Sequence, residues 1–328
     1  MMVYPVKFAP LSHKRIWGGS QLKEWFGETT EEKIGEYWVL SGHPSSTSVV
    51  INGELGGKSL VELTETYPEA YLGNSQQKRF PLLIKFLEAS DDLSVQIHPD
   101  DAYAQEHEGD YGKTEAWYIL GAEEGAKVNY GHSFQDREHY CESVREGKVK
   151  EHLNYLPVQE DQIIFVPAKS MHALMSGTTL IEIQQTSDVT YRVYDWDRVE
   201  ADGKPRELHI EKAADAMRYG DDQLAMMPGT DDRRYMIVEN NQVSVEHMVT
   251  CPYFTIEKMI VKQGSHTLQL GKAGNPDVLV VAEGEGELTG EGFEPISLKR
   301  GDTVLIPSTV HAYHVTSTSK IRLLRTYY

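Results

Sequence analysis

The chain is poor in cysteine: Cys141 and Cys251 are too few for a disulfide framework. Positive charge is also short, with 32 Lys and Arg against 50 Asp and Glu, a formal charge of -18 and a pI near 5.1. Nucleic acids and anionic membranes are held by a basic footprint, so a general binder of either is excluded, while a local basic group can still hold a small phosphate. Long hydrophobic runs are missing too. The apolar stretches are strand-sized and end well before 18 residues, so no membrane-spanning helix is expected. The N-terminal residues contain no charged leader followed by an apolar run, and the expectation is a soluble cytoplasmic protein. A length of 328 residues accommodates one large or two moderate domains with a substantial core, so the chain does not need a metal in order to fold.

What is present reads as sheet. Leu82 to Leu87 and Leu93 to His98 are short β-favouring runs separated by Ala89-Ser90-Asp91-Asp92, which predicts two strands and a turn. On the second strand Gln96 and His98 point to the same face. Residues 99 to 112 are polar and predict helix or loop, and Ala116 to Leu120 resumes a strand. The charged stretch from Gln135 to Leu153 predicts a surface helix pair. Strand composition returns over Tyr155 to Ala168 and Thr178 to Val193, then in the second half over Phe254 to Val261, Val278 to Ala282 and Thr303 to Pro307. Residues 200 to 240 are charged and irregular, which places a boundary there and divides the chain into 1–235 and 236–328.

A weak internal repeat links the halves. Asp161 precedes an apolar strand, Pro167 and His172; Gly301-Asp302 precedes a second strand, Pro307 and His311. The intervals differ by one residue, so the repeat is inexact, and a duplicated β-sandwich or barrel module is the simplest reading.

Four residues in the first half suit a metal ion. Gln96, His98, Glu115 seventeen residues later, and His172 offer an amide oxygen, two imidazoles and a carboxylate, a borderline-to-hard set that fits Zn²⁺ and also Mn²⁺, Fe²⁺ or Co²⁺. No thiolate takes part, which argues against a structural zinc finger. The set brings one formal negative charge, so a divalent ion there stays positive enough to polarise a carbonyl or hydroxyl. The plain alternative is two hydrogen-bonded histidines and a solvent-facing glutamate. His107, His132, His139 and His152 lie among charged residues and are expected at the surface.

The Gly-Asp-x-x-x-x-Pro-x-x-x-His pattern resembles the second motif of the cupin superfamily. Its usual first motif is His-x-His followed by Glu, from which Gln96 departs. That departure resembles the zinc-dependent type I mannose-6-phosphate isomerases, a likeness extended by Trp17-Gly18-Gly19, Gly35 to His43, Phe80 to Ala89, Leu93 to Pro99, Gly112 to Glu115 and Thr190 to Asp195. It covers nearly all of the first 200 residues and is much less specific beyond them. The resemblance implies a mainly β fold of cupin-type β-sandwich or jelly-roll modules with helical and loop insertions. A metal-containing catalytic domain with a helical insertion would occupy 1–235, and a non-catalytic cupin-like module 236–328. It further implies one Zn²⁺ per chain held by Gln96, His98, Glu115 and His172, and reversible interconversion of mannose 6-phosphate and fructose 6-phosphate through a cis-enediol(ate).

By the same resemblance Arg192, Lys113 and Glu182 are active-site residues. The residues alone leave simpler readings for each: Arg192 paired with Asp188 or Asp195, Lys113 a turn lysine, Glu182 an edge-strand glutamate. Glu182 and Arg192 share even parity over any unbroken strand. The base that moves the proton stays open among Glu182, Lys113, a histidine and a metal-bound water. Another metal-dependent cupin enzyme and a non-catalytic sugar-phosphate binder are the competing functions. The glycine-rich run 282–290 carries three glutamates that would repel phosphate and is read as a hairpin turn with its flanks. Trp17, Trp38, Trp117 and Trp196 are assigned to core packing before a sugar pocket. His311 and His314 have no upstream partner motif in their half.

Overall fold

The computed structural model describes residues 3–199 and 203–328, so residues 200–202 of the expected boundary segment lie outside the described residues. Thirteen strands precede residue 200 among these: β1 (Val6–Lys7), β2 (Leu11–Gly19), β3 (Ile34–His43), β4 (Ser46–Thr47), β5 (Leu82–Ala89), β6 (Val95–Ile97), β7 (Glu115–Ala122), β8 (Lys127–His132), β9 (Leu153–Pro157), β10 (Ile163–Val166), β11 (His172–Leu174), β12 (Thr178–Gln185) and β13 (Tyr191–Tyr194). The second half adds β14 (Tyr235–Glu239), β15 (Val243–Thr250), β16 (Thr255–Val261), β17 (Gly264–Gln269), β18 (Asp277–Gly290), β19 (Ile296–Lys299), β20 (Thr303–Ile306), β21 (Ala312–Ser317) and β22 (Ile321–Tyr327). The molecule is mainly β. Its helices are short insertions: α1 (Gln21–Phe26), α2 (Leu60–Thr66), α3 (Pro68–Tyr71), α4 (Asp101–His107), α5 (Arg137–Arg145) and α6 (Ile210–Ala216).

Two antiparallel sheets make the first half. One runs β10-β7-β12-β5-β3-β2 with β4 beside β3, and the other runs β13-β6-β11-β8-β9. Neither path returns to its first strand, so the sheets face each other without closing into a barrel. Strand alternation sorts their side chains by layer. On the larger sheet Ile84, Phe86, Ala116, Tyr118, Ile181 and Ile183 turn outward into the largest apolar cluster, while Leu87, Trp117, Ile119 and Leu180 turn inward toward Val128 and Leu174 of the smaller sheet. Lys85, Glu115 and Glu182 share that inward parity. The outer face of the smaller sheet packs Val95, Ile97 and Ala173 under α5 and α6.

The second half forms one sheet ordered β1-β20-β18-β22-β16-β15-β14, with β17, β19 and β21 completing the module. Its Met248, Phe254, Ile256, Val278 and Leu324 join the same apolar cluster as Phe86 and Tyr118, so the two halves share one core. At about 3–5 kcal/mol for truncating a buried phenylalanine to alanine, Phe254 alone represents a large share of ordinary domain stability.

Four expectations change. The run 282–290 is no hairpin turn. It is the second part of β18, whose first residues pair with β20 and β22 and whose last pair with β19 and β21. Gly284, at φ +80° with Lys320 O only 2.0 Å from where a Cβ would sit, lets the strand pass from one sheet to the other. Thr178 to Val193 is two strands, because Gln184 donates its amide to the carbonyls of Gln185 and Ser187, both at 2.7 Å, and turns the chain after β12. The expected helix pair is α5 followed by a 3-10 turn, Val149–His152. His132 is buried, contrary to the surface expectation, with its ring between Arg218 O and Phe134 N; His107 is exposed, and His139 and His152 are half-buried.

Trp17-Gly18-Gly19 also finds a local reason. Glu88, buried on β5, accepts the amides of Ser20, Gln21 and Leu22 at 3.0, 3.1 and 2.9 Å and so caps α1. A Cβ on Gly19 would lie 1.9 Å from that carboxylate.

Candidate active site

Register brings the ligand candidates together. Gln96 on β6 stands opposite His172 on β11 and, on its other side, opposite Arg192 on β13, so these three share one face of the smaller sheet. His98 follows β6 directly and Glu115 opens β7 in the facing sheet. Ligand atoms of His98, Glu115 and His172 all lie within 4.8 Å of one another, the one such cluster of three among the described residues. All three side chains are buried, and Gln96 is half-buried beside them.

Both histidine tautomers follow from the backbone. His98 Nδ1 donates to Val189 O and His172 Nδ1 to Ser170 O, each at 2.9 Å, which leaves both Nε2 atoms as lone pairs. Burial, then the positive charge of Lys113 and the facing His172, pushes His98 well below the ordinary imidazole range; burial takes His172 down to about 4. Neutral rings are what a cation requires. The Nε2 atoms stand 3.2 Å apart, and Glu115 reaches them at 3.6 and 3.4 Å. Glu115 Oε2 accepts no hydrogen bond, although Lys113 Nζ stands 3.2 Å away outside hydrogen-bonding alignment. Burial and the neighbouring Glu182 raise the Glu115 carboxyl to about 7 despite Lys113. Two converging lone pairs and an unsatisfied carboxylate oxygen fit a divalent cation, whose charge would reverse the penalty on Glu115. His98, Glu115 and His172 could hold such an ion, with Gln96 next to them.

Around this cluster runs a buried ladder of charge. Lys113 Nζ lies 3.1 Å from His98 Nε2 and 3.9 Å from Glu182 Oε1. Glu182 pairs with Lys85 at 3.1 Å, Lys85 approaches Glu36 at 4.0 Å, and Glu36 accepts Arg15 at 2.8 Å and the Trp38 N–H at 2.7 Å. Trp117 Nε1 is shared between Glu115 at 3.0 Å and Glu182 at 3.2 Å. Burial alone would raise both Glu36 and Glu182. Lys85 with Arg15 overrides it and holds Glu36 at about 2, and Lys85 with Lys113 holds Glu182 below its ordinary value. Burial disfavours the Lys85 ammonium, but Glu182 and Glu36 more than compensate and raise it.

The sequence-derived residues thus meet with one qualification. Gln96, His98, Glu115, His172, Lys113 and Glu182 converge, while Arg192 stands at the neighbouring register position on β13 and donates through Nη1 to Glu207 O at 2.8 Å. Shared parity of Glu182 and Arg192 does not hold, since they lie on different strands of different sheets. Asp195 is taken by Arg198 and Arg206 at 2.7 and 2.6 Å. Lys85, Glu36 and the indole of Trp117 were missed as site groups. The available signal was a lysine inside the run Leu82–Leu87 of β5, otherwise apolar and buried throughout. Trp38 and Trp117 pack in the core, as expected, while both indole N–H groups serve the ladder. In the second half His311 is exposed.

Two family models match the chain: the phosphomannose isomerase type I catalytic domain over residues 6–130, and the mannose-6-phosphate isomerase cupin domain over residues 244–328. The chain is 38% identical over 313 residues to a mannose-6-phosphate isomerase of Streptococcus mutans, covering 95% of each sequence. It is 36% identical over 313 residues to mannose-6-phosphate isomerase ManA of Bacillus subtilis, covering 94% of each. A crystal structure of the mannose 6-phosphate isomerase from Bacillus subtilis superposes with a TM-score of 0.88 at 32% identity, covering 99% of both chains.

Proposed function

We infer the chemistry from the premise that this chain belongs to the cupin-superfamily mannose-6-phosphate isomerases: it is an aldose-ketose isomerase that reversibly interconverts D-mannose 6-phosphate and D-fructose 6-phosphate. The observation that carries the site assignment is the convergence of two proton-free Nε2 atoms and the Glu115 carboxylate beside Lys113 and Glu182.

The metal is proposed to be one Zn²⁺ per chain, which His98, Glu115, His172 and Gln96 would hold; two imidazole nitrogens and two oxygens are a donor set that suits it. When bound, the ion supplies positive charge that polarises substrate oxygens. The remaining steps belong to side chains. Lys113, a buried amine, faces the sugar oxygens and stabilises negative charge as the cis-enediolate forms. Glu182, kept ionised by Lys85 and Lys113, and Lys113 itself are the groups within the cluster available to carry a proton between C1 and C2. Arg192, on the same sheet face as Gln96, contributes a guanidinium suited to an oxyanion of the substrate.

The catalytic unit, residues 1–235, is read as a cupin-type jelly roll, and 236–328 as a second cupin module without a metal. Matches beginning at 6 and 244 and the exposure of His311 support this division. No helix among the described residues is long and apolar enough to cross a membrane, and the proposed location is the cytoplasm.

Metal analysis paired with a mannose 6-phosphate to fructose 6-phosphate assay tests the reading. Turnover should vanish on chelation and return with zinc; a fully loaded protein that does not turn over would sink it.

A further inference from the structure

Lys113 has to stand near His98 and Glu115 at once, yet it precedes β7 and no strand ladder holds it. Thr114 beside it is tied by Gln185 N to Thr114 O at 3.1 Å and Ala168 N to Thr114 Oγ1 at 3.2 Å, and three further contacts bear on the loop. Lys113 N donates to Pro99 O at 3.0 Å, Thr114 N to Gln185 Oε1 at 2.9 Å, and Gly112 N to Asp101 Oδ1 at 2.8 Å. Gly112 is packed so closely on the start of α4 that a Cβ there would lie 2.5 Å from Asp101 N.

Asp101 gathers this loop. Its Oδ1 also accepts Gln185 Nε2 at 3.0 Å, the same amide group whose oxygen holds Thr114. Its Oδ2 accepts the hydroxyl of Tyr253 at 2.6 Å, 152 residues away in the second half of the chain. Tyr253 sits in the tight turn between β15 and β16, closed by Cys251 N to Phe254 O at 2.8 Å, and Phe254 is buried in the core common to both halves. The hydroxyl is therefore presented from a fixed platform, and the hydrogen bond to a carboxylate is of the strong kind.

We propose that Tyr253 is a positioning residue: its hydroxyl, acting through Asp101, holds the Gly112–Thr114 loop in the conformation that aims Lys113 into the active site. The second module then takes part in catalysis without touching substrate. The inference rests on the assignment of Lys113 to the site. A misplacement of an ångström in a catalytic group is enough to cost a large factor in rate.

The test uses the zinc-loaded full chain with Tyr253→Phe, which removes one oxygen and keeps the ring. The expected result is a kcat lowered about tenfold, the usual scale for losing a hydrogen bond to a charged group, with KM and bound metal within about twofold of the parent. Amide hydrogen exchange of residues 112–114 should speed up by about the same factor, while residues 178–183 of β12 exchange as before. Asp101→Ala should act in the same direction, and adding Tyr253→Phe to it should change nothing further, because the relay is already cut. An unchanged kcat, unchanged exchange at 112–114, a loss that follows metal content, or multiplicative effects of the two substitutions would each overturn the proposal. Exchange reads the relay without any turnover, so failure of the isomerase reading and failure of the relay are told apart.

Discussion

His98 and His172 turn their Nε2 atoms to within 3.2 Å of each other, while a backbone carbonyl holds the proton of each ring on the opposite nitrogen. Lys113 Nζ stands 3.1 Å from the His98 nitrogen, so both rings turn their proton-free edge to the same buried space. Removing one ring should release the arrangement: His98→Ala should lose tight zinc binding and turnover together, measured by metal content and by the isomerase assay. Retention of both would reject His98 as a ligand.

Lys85 is expected to matter most for stability. It is the near partner of Glu182 and approaches Glu36, both buried. Lys85→Met leaves Glu182 with only the more distant Lys113 and Glu36 with only Arg15 for positive charge, and should cost about 3–5 kcal/mol in urea unfolding, whereas the double variant with Glu182→Gln should recover much of it. A loss below about 1 kcal/mol would mean that the ladder is not coupled as the distances imply.

Acid should act through Glu36. Its carboxyl is held at about 2 in the folded chain against an ordinary 4.5, so the folded state binds that proton less readily. The stability this confers is complete above pH 5 and is lost as pH falls toward 2. Between pH 6 and pH 3 the advantage of the parent over Glu36→Gln should shrink by about 2 kcal/mol, read from unfolding curves at each pH. A constant difference would refute the assignment.

Lys169 adopts φ +74°, a conformation costly for a residue with a side chain, while its amide donates to His98 O at 2.7 Å and its ammonium pairs with Asp100 at 3.0 Å. Lys169→Gly and Lys169→Ala both lose the ion pair, and only glycine relieves the backbone. The glycine variant should therefore exceed the alanine variant by about 1 kcal/mol, a shift of a few degrees in thermal denaturation. Equal midpoints would remove the strain argument.

Much of the site was legible because its groups sit on short, strongly patterned strands. Gln96 and His98 share parity across a single intervening isoleucine, and Glu115 opens an apolar run. What escaped depended on distant neighbours. The break between β12 and β13 is made by Gln184 donating to the carbonyls of Gln185 and Ser187, and β18 continues through glycines that resemble a turn in one dimension. His132 lies among charges in sequence but is covered by residues that return near 218. Lys85 reads as an oddity in an apolar strand until Glu182 and Glu36 arrive from the adjacent strands β12 and β3. Tyr253 gives no local hint, since its partner is 152 residues away.

The pairing of β1 with β20 bears on how the chain is made. Val6 and Lys7 lie against Leu305 and Val304, and Lys7 Nζ reaches Ser297 O at 2.9 Å and Asp302 at 2.7 Å, 290 and 295 residues later. At roughly 5–20 residues per second, the ribosome takes on the order of 15–60 s after β1 to deliver its partner. During that interval the edge of β1 is open, and until the second half appears the outward apolar face of the larger sheet lacks Met248, Phe254, Ile256 and Val278. Closure of the second sheet thus waits for β20, and the nascent chain depends on avoiding wrong partners until that strand appears.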